Sequence, residues 1–477
     1  MKRSMDELVA TAANPWWIED ALRWEGGVPG SPPLAGDLDV DVVIIGGGYT
    51  GMWTAWHLKR ESPGLRVALL ERDRCGLGPS GRNGGFVHGY WGQLGQLRDL
   101  FGADGALEVA RAADEAQRGI LAFCDQAEPD LWLNQAGIAM VSATPEQDLA
   151  VEQSVAVARE LGVSEEVTAV DGADARGLCA SRRFRKGVFY RHGATVQPAR
   201  LGRMLRRRVI DAGVDVHEES AVDAIRELDG RVEVQTARGR VTAGRAIVTT
   251  GASHLQRSGA ESRTVNFSSH MIITEPVPDV LDELGWRDGP GIFDARMFVH
   301  YLRTTPDGRI AIGSGSGHIA YGGRLPARLY ADREAIDRAR RGLEFLIPEL
   351  KGVRVEGAWG GPIDVSGDGL PFFRRSKAGR ILRAGGFSGH GVNPSYLIGR
   401  ILTSLTAERD DEWARLPLVT RKVPRFPPEP FRWAGGNAIR ASIARVEDSH
   451  QGDVSVNVAQ RFVAGLPKLL NMKIGTR

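Results

Sequence analysis

The sequence predicts a two-lobed α/β fold, with a parallel sheet under helices in one lobe and an antiparallel sheet in the other. Three observations predict it. Between Asp39 and Glu71 a buried strand, a glycine turn, a helix and a second buried strand follow in order. Strand–turn–helix patterns of the same kind return within 191–255 and again within 365–409. Between those returns, Thr264 to Gly317 alternates with a period of two, breaks at Pro276-Val-Pro278 and shows no crossover helix, as antiparallel strands do. A chain of 477 residues also exceeds one ordinary core.

Residues 1–38 read as an N-terminal arm. Asn14-Pro-Trp-Trp17 and Trp24 place large apolar surfaces in a polar segment, and are expected to pin the arm to the main body rather than to bind a partner. From residue 39 the first lobe begins. Val42 to Ile45 has no polar face, so both sides of that strand should be covered. Gly46, Gly48 and Gly51 stand in G-x-G-x-x-G spacing. The first permits a tight turn, the second lets backbone approach a pyrophosphate, and the third lets helix and strand pack closely. Tyr49 and Thr50 open the helix, whose free N–H groups and positive dipole end suit that pyrophosphate. Glu71 lies about 20 residues beyond the last glycine, where a carboxylate accepts ribose hydroxyls. The unit is therefore a Rossmann-like dinucleotide site, and the carboxylate disfavours a 2′-phosphate. That leaves NAD or FAD ahead of NADP.

The stretch after Glu71 discriminates between them. Arg72 to Phe86 is too rich in glycine and too poor in apolar residues to pack as an element, so it is a loop. Ser80, Gly81, Arg82, Asn83, Gly84 and Gly85 offer a hydroxyl, backbone N–H groups and a charge beside the cofactor. NAD proteins do not need such a loop here; FAD proteins use one to lead the chain past the pyrophosphate toward the flavin.

With that loop in view, the sequence resembles the FAD-dependent amine oxidases of the D-amino-acid oxidase or glycine oxidase-like family. Ser80-Gly-Arg-Asn-Gly-Gly-Phe86 looks like the subgroup of γ-glutamylputrescine oxidases and aminophosphonate oxidoreductases. The resemblance continues through Asn14-Pro-Trp-Trp17, Trp359-Gly-Gly-Pro-Ile-Asp-Val365 and Gly386-Phe-Ser-Gly-His-Gly391, and so covers nearly the whole chain. It implies backbone contact of Val222 with adenine, and a second approach to the cofactor at Gly251.

Residues 98–127 have helical periodicity and close the first cofactor-binding segment, 39–127. A first excursion into a substrate lobe, 128–190, runs through short apolar runs and a helix over Pro145 to Leu161. Cys124 reads as core. The α/β pattern returns over 191–255, with Arg206 to Arg208 as a solvated helix face. The substrate lobe resumes over 256–364. There Phe298 to Ile312 reads as a hairpin about Pro306-Asp-Gly308, with Val299, Tyr301 and Arg303 on one face. That face either binds an acidic substrate group or is an ordinary exposed strand face. Ala331 to Leu346 is a charged amphipathic helix ending at Pro348. Segment 365–409 brings Ile381 to Pro394: strand, glycine turn, helix N-terminus. Gly386, Phe387, Gly389, His390, Gly391 and Val392 are expected at the flavin, where a positive dipole end stabilises the anionic reduced ring. Asn393 serves the same turn or is a simple N-cap. In the tail, 410–477, Ala438 to Val446 suits a short helix. Gln460 to Leu470 mixes basic and apolar residues, and either packs on the lobe or makes a weak membrane-surface contact.

Charge is balanced, at 61 basic against 59 acidic residues, which gives no electrostatic case for nucleic acid. The three cysteines lack disulfide or metal spacing. No apolar signal core or membrane span is evident, so a cytoplasmic setting is expected. The function expected is FAD-dependent oxidation of a small amine or amino acid to an imine, hydrolysed to aldehyde or keto acid, with dioxygen reoxidising the flavin. The alternative is a dehydrogenase, desaturase or N-demethylase with another electron acceptor. The late flavin-facing segment supplies no cysteine, so FAD is expected to be non-covalent. The resemblance suggests a remote anionic group on the amine, as in an aminophosphonate or γ-glutamyl amine. With Arg82 committed to cofactor, Arg296 and Arg303 are the candidate anion binders, beside Tyr301 and His390.

Overall fold

The computed structural model describes residues 3–128, 130–253, 263–450 and 455–469. Among them the strands form two eight-stranded sheets and one two-stranded sheet, Phe86–Val87 with Ala194–Thr195. At the centre of the first lies Gly36–Ile45, parallel to Val67–Leu70 on one side and to Gly239–Val248 on the other. Asp215–His217 extends the sheet beyond Val67–Leu70. Gly239–Val248 changes partner along its length. Arg240 to Ala243 pairs antiparallel with Arg231–Thr236, whereas Ala246 to Val248 pairs in parallel with Ile381–Gly385.

The Val42 to Ile45 run is covered on both faces, as its lack of a polar side requires. The two covers differ in kind. Val42 and Ile44 pack among residues of the helices Tyr49–Glu61, Leu94–Asp125 and Val392–Thr406. Val43 and Ile45 meet Val222, Val232 and Val234 of an antiparallel hairpin instead.

The second sheet has the order Val355–Ser366, Thr264–Thr274, Ile310–Ser314, His300–Thr304, Gly291–Asp294, Ile138–Ser142, Lys186–Tyr190, Thr168–Val170. It draws its strands from both sides of the 191–255 segment. All of its pairs are antiparallel except Gly291–Asp294 with Ile138–Ser142. The hairpin about Pro306-Asp-Gly308 pairs Leu302 with Ile312. Leu302 packs under the helix Arg333–Leu346, whereas Tyr301 joins a separate cluster with Trp17 and Ala311. One feature departs from expectation: the stretch from Thr264 to Gly317 contains a short helix, Pro278–Glu283. Pro278 stands at its start, where the missing N–H costs nothing, so the break in the strand pattern is a helix start.

The arm is pinned by its tryptophans. Trp17 is fully buried, edge-on to Trp359 and Trp132 at ring separations of 5.8 and 6.4 Å. Asp20 pairs with Arg200 at 2.8 Å and Glu25 with buried Arg203 at 2.7 Å. Arg206, expected on a solvated face, is buried against Glu218 at 3.0 Å. The tail helix is longer than its short pattern suggests, spanning Phe431–Ser449. Ile443 and Ala444 seat it against Phe267, Phe298 and Val365. The final helix, Val458–Leu469, leaves Val458 and Phe462 exposed. Leu470, at the end of the expected basic and apolar stretch, lies outside the described residues. Among those residues no helix is long and apolar enough to cross a membrane.

Candidate active site

A cavity of about 690 Å³ runs along the carboxyl ends of the first sheet's strands and ends against the second sheet. Its first part is the Gly46–Thr50 turn and the start of the helix Tyr49–Glu61. Gly46 has φ of +109°, and a Cβ there would stand 2.7 Å from Thr249 O. At Gly51 a Cβ would meet Gly46 O at 2.0 Å, so strand and helix approach too closely for any other residue. Gly48 is the N-cap and offers no capping side chain, while Ser80 Oγ accepts the Tyr49 N–H at 2.9 Å. Glu71 accepts N–H groups from Gly47 at 2.7 Å and Asp73 at 2.9 Å. Burial pushes its carboxyl pKa up, and those two N–H groups pull it back toward the ionised form. Arg72, Ser220, Val222 and Gly251 complete this end of the wall.

The loop after Glu71 lies along the cavity, and its residues divide by role. Ser80, Arg82, Asn83 and Gly84 line it. Gly81 and Gly85 do not: a Cβ on Gly81 would meet Gly76 O at 2.5 Å, and one on Gly85 would meet Val196 O at 1.9 Å. Asn83 shapes the loop, its amide donating to Ser80 O at 2.7 Å and its carbonyl accepting Gly85 N–H at 2.8 Å. Trp359 Nε1 donates to Arg82 O at 2.9 Å, which ties the loop to the second sheet.

At the far end, Phe387, Gly389, His390, Gly391 and Val392 line the cavity. Gly391 is the N-cap of the helix Val392–Thr406 and again brings no capping side chain. Asn393 is therefore not the N-cap; its amide donates to Ala113 O at 2.9 Å. Gly386 stays behind the wall, with φ of +81° and its N–H held by the Asp364 carboxylate. The Asp364 carbonyl accepts Ser388 N–H at 3.0 Å, so one residue of the second sheet fixes both sides of the turn.

Phe86, His88, Ser269, Phe293 and Tyr301 line the same cavity. Tyr301 Oη lies 2.8 Å from Ser269 Oγ, and burial pushes its phenol up to about 12. His88 stacks on Phe293 with ring centroids 6.1 Å apart and stands edge-on to His390 at 5.9 Å. Burial lowers the His88 pKa to about 4, so its imidazole is neutral at pH 7.

Arg296 and Arg303, expected to meet an anionic substrate group, do not line the cavity. Arg296 is buried against Asp294 at 2.9 Å and lies over Phe345. Arg303 is fully buried, with its guanidinium donating to Val196 O and Thr304 O. Alternation assigned Arg303 the face of Tyr301 but not its depth. The arginines on the wall are Arg72, Arg74 and Arg82, the last stacked over Tyr330 at 5.4 Å. Sequence reasoning missed His88, Phe293 and Asp364, and also the arm, from which Asn14, Pro15, Ile18 and Glu19 join the wall. The signal for His88 was its even spacing from Phe86; Asp364 lay inside a motif already singled out.

The geometry fits FAD. A glycine cradle for phosphate, a carboxylate where ribose hydroxyls belong, and two helix N-termini without capping side chains open on one cavity. The FAD dependent oxidoreductase (DAO) family matches residues 41–405. The chain belongs to that family. It is an FAD-dependent oxidoreductase of the amine and amino-acid oxidase type. It is 29% identical over 383 residues to the gamma-glutamylputrescine oxidoreductase of Escherichia coli (strain K12), covering 79% of this chain and 86% of that one. It is 28% identical over 429 residues to the probable oxidoreductase OrdL of Rhizobium meliloti (strain 1021), covering 87% and 92%. The fold is similar to that of glycine oxidase from Geobacillus kaustophilus, with a TM-score of 0.63 at 19% identity over 81% of this chain and all of that one.

Proposed function

We propose that this enzyme oxidises a small amine or amino acid at the carbon bearing nitrogen, releasing an imine that water hydrolyses to an aldehyde or keto acid. The cofactor lobe in this reading comprises 39–127, 191–255 and 365–409, and the sheet drawn from 128–190 and 256–364 selects the amine. The observation that carries it is the junction of two surfaces: Phe387 and Gly389 to Val392 line one cavity together with Phe86, His88, Phe293 and Tyr301, and His390 meets His88 there. FAD bound there would supply the hydride acceptor, with dioxygen as the terminal oxidant, reduced to hydrogen peroxide. The Gly46–Thr50 turn and Glu71 would hold its adenosine diphosphate end, and the Gly389–Val392 helix start its catalytic end.

The chain's own groups orient the substrate and exclude water. The substrate reacts as the neutral amine, its extra proton lost to water before it binds, and neutral His88 accepts one of its N–H groups without adding a competing charge. The Tyr301 hydroxyl, protonated at all physiological pH values, is oriented by Ser269, which gives its own proton to Ser314 O, and turns its oxygen to the same cavity as an acceptor. The Phe86 and Phe293 rings keep that end of the cavity dry, which strengthens each polar contact in it. His390, edge-on to His88, faces the same space. A γ-glutamyl amine is the favoured substrate, supported by the similarity to the E. coli enzyme. A cytoplasmic setting belongs to this reading, in keeping with cysteines that form no disulfide.

A dehydrogenase or N-demethylase with another electron acceptor is the second reading; 25% identity over 347 residues to the sarcosine oxidase subunit beta of Rhizobium meliloti (strain 1021) supports action on an N-methyl amine, though not the change of acceptor. Product analysis separates the two. Incubation in air with γ-glutamyl amines, sarcosine, glycine and simple amines is expected to give one peroxide per aldehyde or keto acid formed. Rapid dye reduction with little peroxide selects the second reading, and inertness toward every amine rejects both. A weak membrane-surface contact of the last helix has exposed Val458 and Phe462 in its favour. Co-sedimentation with anionic vesicles, lost when the chain ends at 450, tests it.

A further inference from the structure

Arg303 carries a full charge into the interior without an acid to meet it. Its side chain is 1% exposed. The guanidinium donates to Val196 O and, at 3.1 Å, to Thr304 O, and lies 5.9 Å from the Trp17 ring centroid. Among the described residues no carboxylate pairs with it. Arg203, Arg206 and Arg296, likewise buried, each meet an acid at 2.7–3.0 Å. A buried charge without a counter-ion is costly, and a neutral donor would serve two carbonyls as well. Burial lowers the Arg303 pKa to about 9, which still leaves it charged at neutral pH.

Its position supplies a reason for the charge. A Cβ on Gly85 would stand 2.9 Å from Arg303 Nη1. Gly84, the preceding residue, lines the cavity, and so does Tyr301, two residues along the same strand face. Val196, whose carbonyl takes the guanidinium, donates its own N–H to Gly85 O at 2.8 Å. The charge is thus clamped directly behind a glycine turn on the wall of the cavity that would hold FAD, in surroundings that screen it little.

We propose that Arg303 is a positioning residue whose unpaired charge, held behind the Gly84–Gly85 turn, favours the more negatively charged reduced flavin over the oxidised one. This rests on FAD occupying the cavity and not on which amine is oxidised, so a wrong substrate reading leaves it standing.

The test uses holoenzyme and two readouts independent of turnover: the flavin midpoint potential and the affinity for sulfite, whose adduct places negative charge on the flavin ring. Arg303→Gln keeps a donor for Val196 and removes the charge; Arg303→Lys keeps the charge. The glutamine variant is expected to show a more negative potential and sulfite binding at least about tenfold weaker, with lysine within about threefold of wild type. Equal shifts in both variants, or no shift in the glutamine variant, overturn the proposal. If the glutamine variant fails to hold FAD, the lysine variant decides alone. A buried lysine loses its proton at lower pH than arginine, so its sulfite affinity should begin to fall at least about one pH unit below the point, about pH 9, where that of wild type falls as Arg303 loses its own proton. A parallel pH response in the two proteins overturns the proposal as well.

Discussion

The carboxylate of Asp364 accepts the backbone N–H of Gly386, joining the longest strand of the second sheet to the glycine turn at the end of the cavity. The turn precedes the helix Val392–Thr406, so its placement depends on a side chain from the other sheet. Replacing Asp364 by alanine leaves that buried N–H unpaired, a loss of about 1.5–3 kcal/mol for a hydrogen bond to a charged group. FAD affinity, measured by fluorescence titration of the apoprotein, is expected to fall about tenfold or more. An unchanged affinity would show that the turn holds its shape without Asp364.

Two glycines a short distance apart in sequence should respond oppositely to alanine. At Gly51 the new Cβ has Gly46 O only 2.0 Å away, whereas at Gly78 nothing lies within 4 Å. Gly51→Ala is expected to cost about 1–3 kcal/mol or more through overpacking, and to yield colourless protein. Gly78→Ala should be near neutral. Chemical denaturation and flavin absorbance of the purified proteins check both.

Arg296→Ala breaks a buried pair with Asp294 and should destabilise the fold by about 3–5 kcal/mol. Because Arg296 does not line the cavity, KM for anionic and neutral amines should change by the same factor in any active protein recovered. A KM increase confined to anionic amines would return Arg296 to the substrate site.

His57 lies between Trp53 and Tyr396 with its pKa lowered to about 3, first by burial and then by Arg400 and Arg60. The unfolded chain binds this proton from about pH 6.5 downward and the folded chain does not, so folding stability falls as pH drops from 6.5 toward 3. At pH 4 the contribution of this one group is a loss of about 3 kcal/mol. His57→Phe, which keeps the aromatic packing, should flatten that part of the stability profile, and denaturant midpoints at pH 7, 5.5 and 4 measure it.

FAD should leave the protein intact on acid precipitation. Cys75, Cys124 and Cys179 are buried and none lines the cavity, so no thiol is presented to the flavin. A yellow pellet with a colourless supernatant would contradict this and direct attention to His88 and His390.

The cofactor half of the site was legible because each of its requirements is local. A turn that must be glycine, a helix start beside it and an acid at the next strand end lie within 33 consecutive residues, Asp39 to Glu71. The hairpin about Pro306 was legible for the same reason. Depth and partnership were not. The period-two pattern placed Arg303 beside Tyr301 but said nothing of the Trp17 ring and Val196 carbonyl that bury it. Similarly, apolar runs showed that Val42 to Ile45 is covered on both faces, yet one cover is a hairpin about 190 residues later in the chain. His88 escaped notice because its role arises from Phe293 and His390, which approach it only in the folded chain.

The central claim is that this cavity uses FAD to oxidise a carbon–nitrogen bond. Anaerobic mixing of the holoenzyme with a panel of amines, amino acids and 2-hydroxy acids, while following the visible flavin band, tests it most directly. The account predicts bleaching by at least one amine or amino acid, γ-glutamyl amines foremost, with the matching aldehyde or keto acid formed in equal amount. Bleaching by a 2-hydroxy acid alone, with every amine inert, would contradict it.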